Sequence, residues 1–337
     1  MSMDAKGKYK ADGLVDLLGQ KQSLNWLIEH WLEQGTFALL VGAEGSFKSF
    51  LAIDWALSIA TGQEWNGCRV APGRVLYIAG EGHTGVIRRM RGWSDHHGRV
   101  ADDVFLGHGS VELVTPSDVV RLEDYLRDEQ WALIVIDTLA RNFGPGSEND
   151  AETMSAAIAS VDRIRKSSGA TVLVVHHAPL EGRREGKLRP RGSSALSGAA
   201  DAIFTCSHDQ HSDVITVAST KQKDAPNPET HFLSFDIVDL GETDNFGNPI
   251  TTLVLCPTHK RPTSKRKLGV NQRRLIQELR SRANGSDENF VVVRDITGEM
   301  DIARESRKKL EAWFDHRPWT RTTNGGHLVD MTQLPKI

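Results

Sequence analysis

Residues 37–49 read Phe37-Ala-Leu-Leu-Val-Gly42-Ala-Glu-Gly-Ser-Phe-Lys48-Ser49. The apolar run Phe37–Val41, bounded by Gly35 and Gly42, is short and uninterrupted, which fits a strand buried on both faces. Helical periodicity resumes at Lys48 and continues to about Ala60. A Gly-rich turn between a buried strand and a helix is the setting of a phosphate-binding loop. Successive backbone N–H groups surround the phosphates, and the helix N-terminus adds its dipole. The candidate nucleotide-binding residues are Gly42, Ala43, Glu44, Gly45, Ser46, Phe47, Lys48, Ser49 and Phe50. Lys48 is placed to reach the β- and γ-phosphates, and the Ser49 hydroxyl to bind Mg²⁺. The motif departs from its usual form once: Phe47 stands where a glycine normally precedes the lysine. A plain Gly-rich turn is the bland alternative for the loop taken alone.

The same strand–helix alternation continues outward. Strands are expected at 75–79, 133–136 and 171–175, and helices at 84–93 and 151–167. A further amphipathic pattern at 22–35, with Leu24, Leu27, Ile28 and Trp31 at helical spacing, predicts a helix before the first strand. The runs 202–206, 213–220, 231–237 and 251–255 read as strands in hairpins. Strands alternating with helices imply an α/β fold with a mainly parallel sheet covered on both faces, its edge extended by the hairpins.

In such a sheet the C-terminal strand ends share one edge, where ligands bind. Asp137 closes the run Leu133-Ile-Val-Ile136, a position suited to a carboxylate that holds Mg²⁺ through water. Many strands end in Asp, so Asp137 alone is a weak signal. Glu81 follows the strand ending at Ala79, and a carboxylate there can orient or deprotonate an attacking water. An exposed turn glutamate is its bland reading. His176 and His177 close the next strand, where a polar side chain can hydrogen-bond a γ-phosphate and relay its presence to the following loop. No nearby Cys or spaced carboxylate completes a metal site with them.

Taken as a set, these residues resemble the RecA-type ATPases, and most closely the RepA-like branch of compact ring helicases of plasmids and phages. The resemblance rests on Gly42–Ser49, Val75–Gly82, Ile136-Asp-Thr-Leu-Ala-Arg-Asn-Phe143, His176-His177 and Arg191-Gly-Ser-Ser-Ala-Leu196, and covers roughly residues 22–256. It implies a RecA-like P-loop core that takes ATP and Mg²⁺. Glu81 would be the catalytic glutamate, Asp137 the second carboxylate at the phosphates, and His177 the γ-phosphate sensor. It implies a homo-oligomer, a ring or filament with ATP between subunits, and for this branch a hexameric ring. Completing such a site needs a cation from the neighbour, and Lys221-Gln-Lys223 resembles the family's lysine pair for that role. Arg191 is the other candidate; the lysines could also be same-face residues of a strand.

The loops 142–150 and 178–192 follow strand ends on the same edge. In relatives the equivalent loops touch single-stranded DNA. The second holds Arg183, Arg184, Lys187, Arg189 and Arg191 against Glu181 and Glu185, which suits phosphate contact without base readout. The resemblance therefore implies an ATP-driven, ring-forming helicase or translocase on single-stranded DNA in plasmid, phage or prophage replication. A recombinase-like filament and a non-motor ATPase switch share the same residues.

Composition bounds this reading. The 337 residues are 39% hydrophobic and 25% charged, an ordinary globular balance that excludes a fibre or a mostly disordered chain. Cys68, Cys206 and Cys256 are widely spaced and odd in number, so no disulfide or metal framework follows. With no secretory or membrane-spanning pattern, a cytoplasmic protein without membrane contact is expected. The net charge of −3 is split: residues 260–337 hold 17 Lys+Arg against 10 Asp+Glu, and the rest hold 24 against 34. The basic, Pro-containing stretch 258–268 reads as a linker between a core at 36–257, preceded by a helical segment at 1–35, and a domain at 269–337. That last domain shows helical spacing at Leu275, Ile276 and Leu279, an apolar run Phe290–Val293, a basic helix at 303–314 and a hairpin turning at Asn324-Gly-Gly. Helices followed by a hairpin suggest a winged helix, suited to duplex DNA or to a replication protein.

Overall fold

The structure, a computed structural model, describes residues 13–19, 23–177 and 194–262, Arg274, Gln277 and the strand segments 290–292, 320–323 and 326–330. The chain divides into two compact units, Met1–Thr263 and Ser264–Ile337.

In the first unit the elements run α1 (Leu14–Leu18), β1 (Trp26–Ile28), β2 (Leu32–Glu33), β3 (Phe37–Gly42), α2 (Lys48–Thr61), β4 (Val75–Ala79), α3 (His83–His97), β5 (Val104–Leu106), α4 (Pro116–Leu126), β6 (Leu133–Asp137), α5 (Leu139–Asn142), α6 (Ala151–Ser168), β7 (Thr171–His177), α7 (Ser194–Ala199), β8 (Ala202–Asp209), β9 (Val214–Gln222), β10 (His231–Thr243) and β11 (Pro249–Pro257). Nine strands form one sheet in the order β11-β10-β9-β8-β3-β7-β6-β4-β5. From β8 to β5 every pairing is parallel; β9, β10 and β11 add antiparallel hairpins at one side. The fold is therefore α/β with a mainly parallel sheet, as expected.

All six residues of β3 are buried, and so are all five of β4 and of β6. Period-2 alternation sends their side chains into two separate layers. Ala38 and Leu40 join the layer of α2 and α3, while Phe37, Leu39 and Val41 join that of α4 and α6. Burial on both faces explains why these strands read as unbroken apolar runs.

One expected element is different. Residues 22–35 are not a helix: Trp26–Ile28 and Leu32–Glu33 form a two-stranded hairpin. Leu27, Ile28, Trp31 and Leu32 are all buried, so their helix-like spacing comes from a tight turn that folds two apolar pairs onto the same core. His30 sits at φ 64° in that turn. The backbone bonds go sideways, from Glu29 N to Arg69 O and from Ala71 N to Leu27 O, rather than along a helix.

In the second unit, β12 (Phe290–Val292), β13 (Thr320–Thr323) and β14 (Gly326–Asp330) form an antiparallel sheet in the order β12-β14-β13. The helix expected at 303–314 and the spacing at Leu275, Ile276 and Leu279 lie outside the described residues.

Candidate active site

The P-loop leaves the C-terminal end of β3 and enters α2. Gly42 is needed for space: a Cβ there would lie 2.4 Å from both the Cys206 carbonyl oxygen and Ser46 Oγ. Gly45 turns the chain at φ 70°. Cys206, on the neighbouring β8, donates its thiol to the Ser46 carbonyl at 2.8 Å and so props the loop from below. Burial pushes that thiol up to about 12, which keeps it neutral and inert. Nothing in the sequence assigns this cysteine a role; only the β3–β8 pairing reveals it.

Phe47 also adopts the left-handed conformation, at φ 70°, as the N-cap of α2. This explains the motif's usual glycine, because the conformation costs a side-chain-bearing residue about 1–2 kcal/mol. The ring stacks on Phe235 at 5.3 Å and 16°, and meets His208 and Phe50 edge-on or tilted. Aromatic pairs of this kind contribute roughly 0.5–1.5 kcal/mol each, enough to offset the backbone cost.

Lys48 is buried, and its Nζ donates to the Ala43 carbonyl at 3.0 Å. Burial lowers its pKa, while Asp137 acts in the opposite direction. Ser49 Oγ donates to Asp137 Oδ1 at 3.2 Å. The other Asp137 oxygen accepts the buried Tyr77 hydroxyl at 2.6 Å, so one face of the carboxylate is fixed and the other is directed at Ser49. Tyr77 is a second residue that sequence reading missed; in the sequence it is one more apolar position of β4.

His177 lies beside the loop, since the β3–β7 register pairs Gly42 with His177. Burial first, then the Lys48 charge, lowers its pKa, so the imidazole is neutral near pH 7. A neutral ring keeps one N–H for donation to an oxyanion. His176 is buried on the other face, its Nδ1 3.9 Å from Glu148 Oε2 in the loop that precedes α6. The two histidines thus face two different loops.

Glu81 stands two residues beyond β4 on this edge and pairs with Arg141 of α5 at 2.7 Å. Gly80 lets α5 approach, because a Cβ would come within 2.4 Å of Arg141 Cβ. A cavity of about 340 Å³ opens between the Ala79–His83 turn and His108-Gly109. Arg141 belongs to the stretch that carried the resemblance, but only the contact gives it a task.

Lys221 and Lys223 are elsewhere. Lys221 pairs with Ile203 and Gln222 with Ala202, at the beginning of β8. Ala202 is level with Ala38, about four residues or roughly 13 Å from the loop end of β3. Lys221 Nζ donates to the carbonyls of Ser197, Gly198 and Ala200, and Lys223 pairs with Asp201 at 3.2 Å. The chain's own phosphate edge therefore brings together Lys48, Ser49, Asp137, Glu81 and His177, and not the lysine pair. Arg183, Arg184, Lys187, Arg189 and Arg191 lie outside the described residues.

The residues present fit a Mg²⁺-bound nucleoside triphosphate. Ser46 Oγ is buried without a hydrogen-bond partner among the described residues, a buried lysine sits at the helix start, and a hydroxyl–carboxylate pair waits beside it. When bound, Mg²⁺ would offset charge on the β- and γ-phosphates. Lys48 would bind the same oxygens, Ser49 and Asp137 would hold the ion, and Glu81 would accept a proton from water.

This strand-end loop, with its lysine, serine and strand-end aspartate on a mainly parallel sheet, defines a P-loop ATPase of RecA-like type. A family model described as AAA domain matches residues 7–183, more than half of the chain, and the chain belongs to that family. No curated protein matches it. Among solved structures it is similar to the ATPase domain of a helicase (15% identity, TM-score 0.47, 60% of this chain and 82% of that one). It is also similar to the RadB recombinase (16% identity, TM-score 0.45, 66% and 92%). A third is a DnaB-like replicative helicase described with its interactions with primase (14% identity, TM-score 0.49, 70% of this chain and 66%, just under two thirds, of that one). No helix among the described residues is long and apolar enough to cross a membrane.

Proposed function

We propose that this ATPase is a translocase or helicase on single-stranded DNA that works as a ring of identical subunits in a replication module. One observation carries the reading. The groups suited to phosphate, Mg²⁺ and water share one sheet edge, while the lysine pair that could supply a transition-state cation stands at the opposite ends of β8 and β9. In one chain the two cannot meet; across a head-to-tail interface they can. The roles follow: Lys48 and the loop backbone bind the phosphates, Ser49 and Asp137 hold Mg²⁺, Glu81 activates water, and His177 senses the γ-phosphate. Lys221 or Lys223 serves the neighbouring subunit. The basic residues of the 178–192 loop contact the DNA backbone, and the 269–337 domain serves duplex DNA or a replication protein.

The test is ATPase rate with and without single-stranded DNA, together with native mass. DNA-stimulated turnover by a closed oligomer is expected. A monomer whose turnover ignores DNA would instead be an ATPase switch, and helical filaments on DNA would indicate a recombinase.

A further inference from the structure

Away from the nucleotide edge, the last turn of α3 meets the β10–β11 hairpin. Cys256 Sγ lies 3.6 Å from His96 Nε2 and 3.4 Å from Asp236 Oδ2, and those two atoms are 3.6 Å apart. The strand register explains the meeting. Cys256 lies opposite Ser234, which makes it a diagonal neighbour of Asp236 on one face of the hairpin. His96 comes from a different element and closes the triangle.

Tetrahedral coordination at metal–sulfur, metal–nitrogen and metal–oxygen lengths of about 2.3, 2.0–2.1 and 2.0–2.2 Å requires ligand–ligand edges of about 3.4–3.6 Å. All three observed edges fall in that range. We propose that His96, Asp236 and Cys256 bind a transition-metal ion of the zinc class, with the fourth position open to water or an outside ligand. One thiolate, one imidazole and one carboxylate are a soft-to-borderline donor set, unsuited to Mg²⁺. The local field supports it. Burial and the Asp236 carboxylate push the Cys256 thiol up to about 12, and the buried Asp54 acts in the same direction. That is a site with surplus negative charge, and a dication reverses the penalty on the thiolate. The bound ion would fasten the end of α3 to the hairpin. Because α3 begins at His83, directly after Glu81 and Gly82, the ion would also anchor the element leading from the candidate water-activating residue.

The test uses the untagged full-length chain, stripped with a chelator and titrated with Zn²⁺, and with Co²⁺ as a spectroscopic probe, without nucleotide. One equivalent should bind in the presence of excess Mg²⁺, with a thiolate-to-cobalt charge-transfer band. Cys256→Ser should abolish the band. His96→Ala and Asp236→Asn should each weaken zinc binding at least about tenfold, whereas Lys48→Ala should leave it unchanged. In the unmutated chain, zinc should also slow alkylation of Cys256, mapped by mass spectrometry, which needs no variant to fold. No charge-transfer band, zinc binding in the His96 and Cys256 variants equal to that of the parent, or alkylation of Cys256 indifferent to zinc would each overturn the site.

Discussion

At the scale of single residues, Glu81 and Phe47 give the sharpest expectations. The Glu81–Arg141 pair is more than half exposed on both sides, and such pairs contribute at most about 1 kcal/mol to stability. Glu81→Gln should therefore melt almost like the parent and still bind ATP. If Glu81 activates water, turnover should fall by at least ~10²-fold, the usual worth of a positioned base; single-turnover hydrolysis beside a nucleotide-binding titration separates the two effects. At Phe47, backbone and side chain pull in opposite directions. Its φ of 70° favours glycine, and its ring is held by Phe235, His208 and Phe50. Both Phe47→Ala and Phe47→Gly lose the ring contacts, but only the glycine is at ease in the left-handed region. Phe47→Gly should thus be more stable than Phe47→Ala by up to about 1 kcal/mol, the reverse of the order inside a helix. Urea denaturation of the two variants decides this, and equal midpoints would contradict the loop conformation.

At the scale of elements, α2 and α3 are joined by a buried carboxylate. Asp54 of α2 accepts the indole N–H of Trp65 at 2.8 Å and of Trp93, on α3, at 2.7 Å. Burial nonetheless raises its pKa to about 6, above the ordinary value of 3.8. A carboxyl with a folded-state pKa above its unfolded one contributes stability that is full below about pH 4 and is lost as pH rises through about 6. The Asp54 share of stability should thus decline across that window. Asp54→Asn cannot titrate and should flatten the decline in urea midpoints measured between pH 4 and 7, while losing one of the two indole bonds. None of this is visible in sequence, where Asp54 is a polar residue in a helix and its partners are 11 and 39 residues away. What is legible has a short physical range: unbroken apolar strands, the glycines of a tight turn, and polar residues at strand ends. These locate β3, β4, β6 and β7, the loop, and the edge where Asp137 and His177 converge. The hairpin β1–β2 reads as a helix because four apolar residues around a turn copy the spacing of a helix face. The helix α4 escapes a reading by apolar runs, although Thr115 and Pro116 mark its start. Support from below the site, by Tyr77 and Cys206, is hidden because strand order is a tertiary fact: nothing local says that β8 lies beside β3.

At the scale of the whole molecule, the two compact units and the separation of the lysine pair from the loop lead to expectations about parts and partners. A chain ending at Thr263 retains the whole nine-stranded sheet. It should keep ATPase activity and its stimulation by single strands, and lose only binding to duplex DNA or to a protein partner. Abolished single-strand stimulation in that truncation would make the second unit the main DNA site. The lysine pair poses a different question, because contacts within one chain already occupy it. Lys221 caps the carbonyls at the end of α7 and should be costly to remove, whereas Lys223 is 60% exposed and has a single carboxylate partner. Lys223 is therefore the better probe for action in trans. In an oligomer of Lys223→Ala subunits each interface lacks the cation, and in one of Glu81→Gln subunits each lacks the base. Mixed oligomers contain interfaces in which Glu81 comes from the first variant and Lys223 from the second, so both halves are intact. Mixing two inactive variants should then restore part of the ATPase rate, rising to a maximum near equal proportions, with native mass spectrometry confirming co-assembly. A rate that stays at the level of the separate variants despite proven mixing would assign Lys223 to its own chain, as the partner of Asp201 at the start of β8.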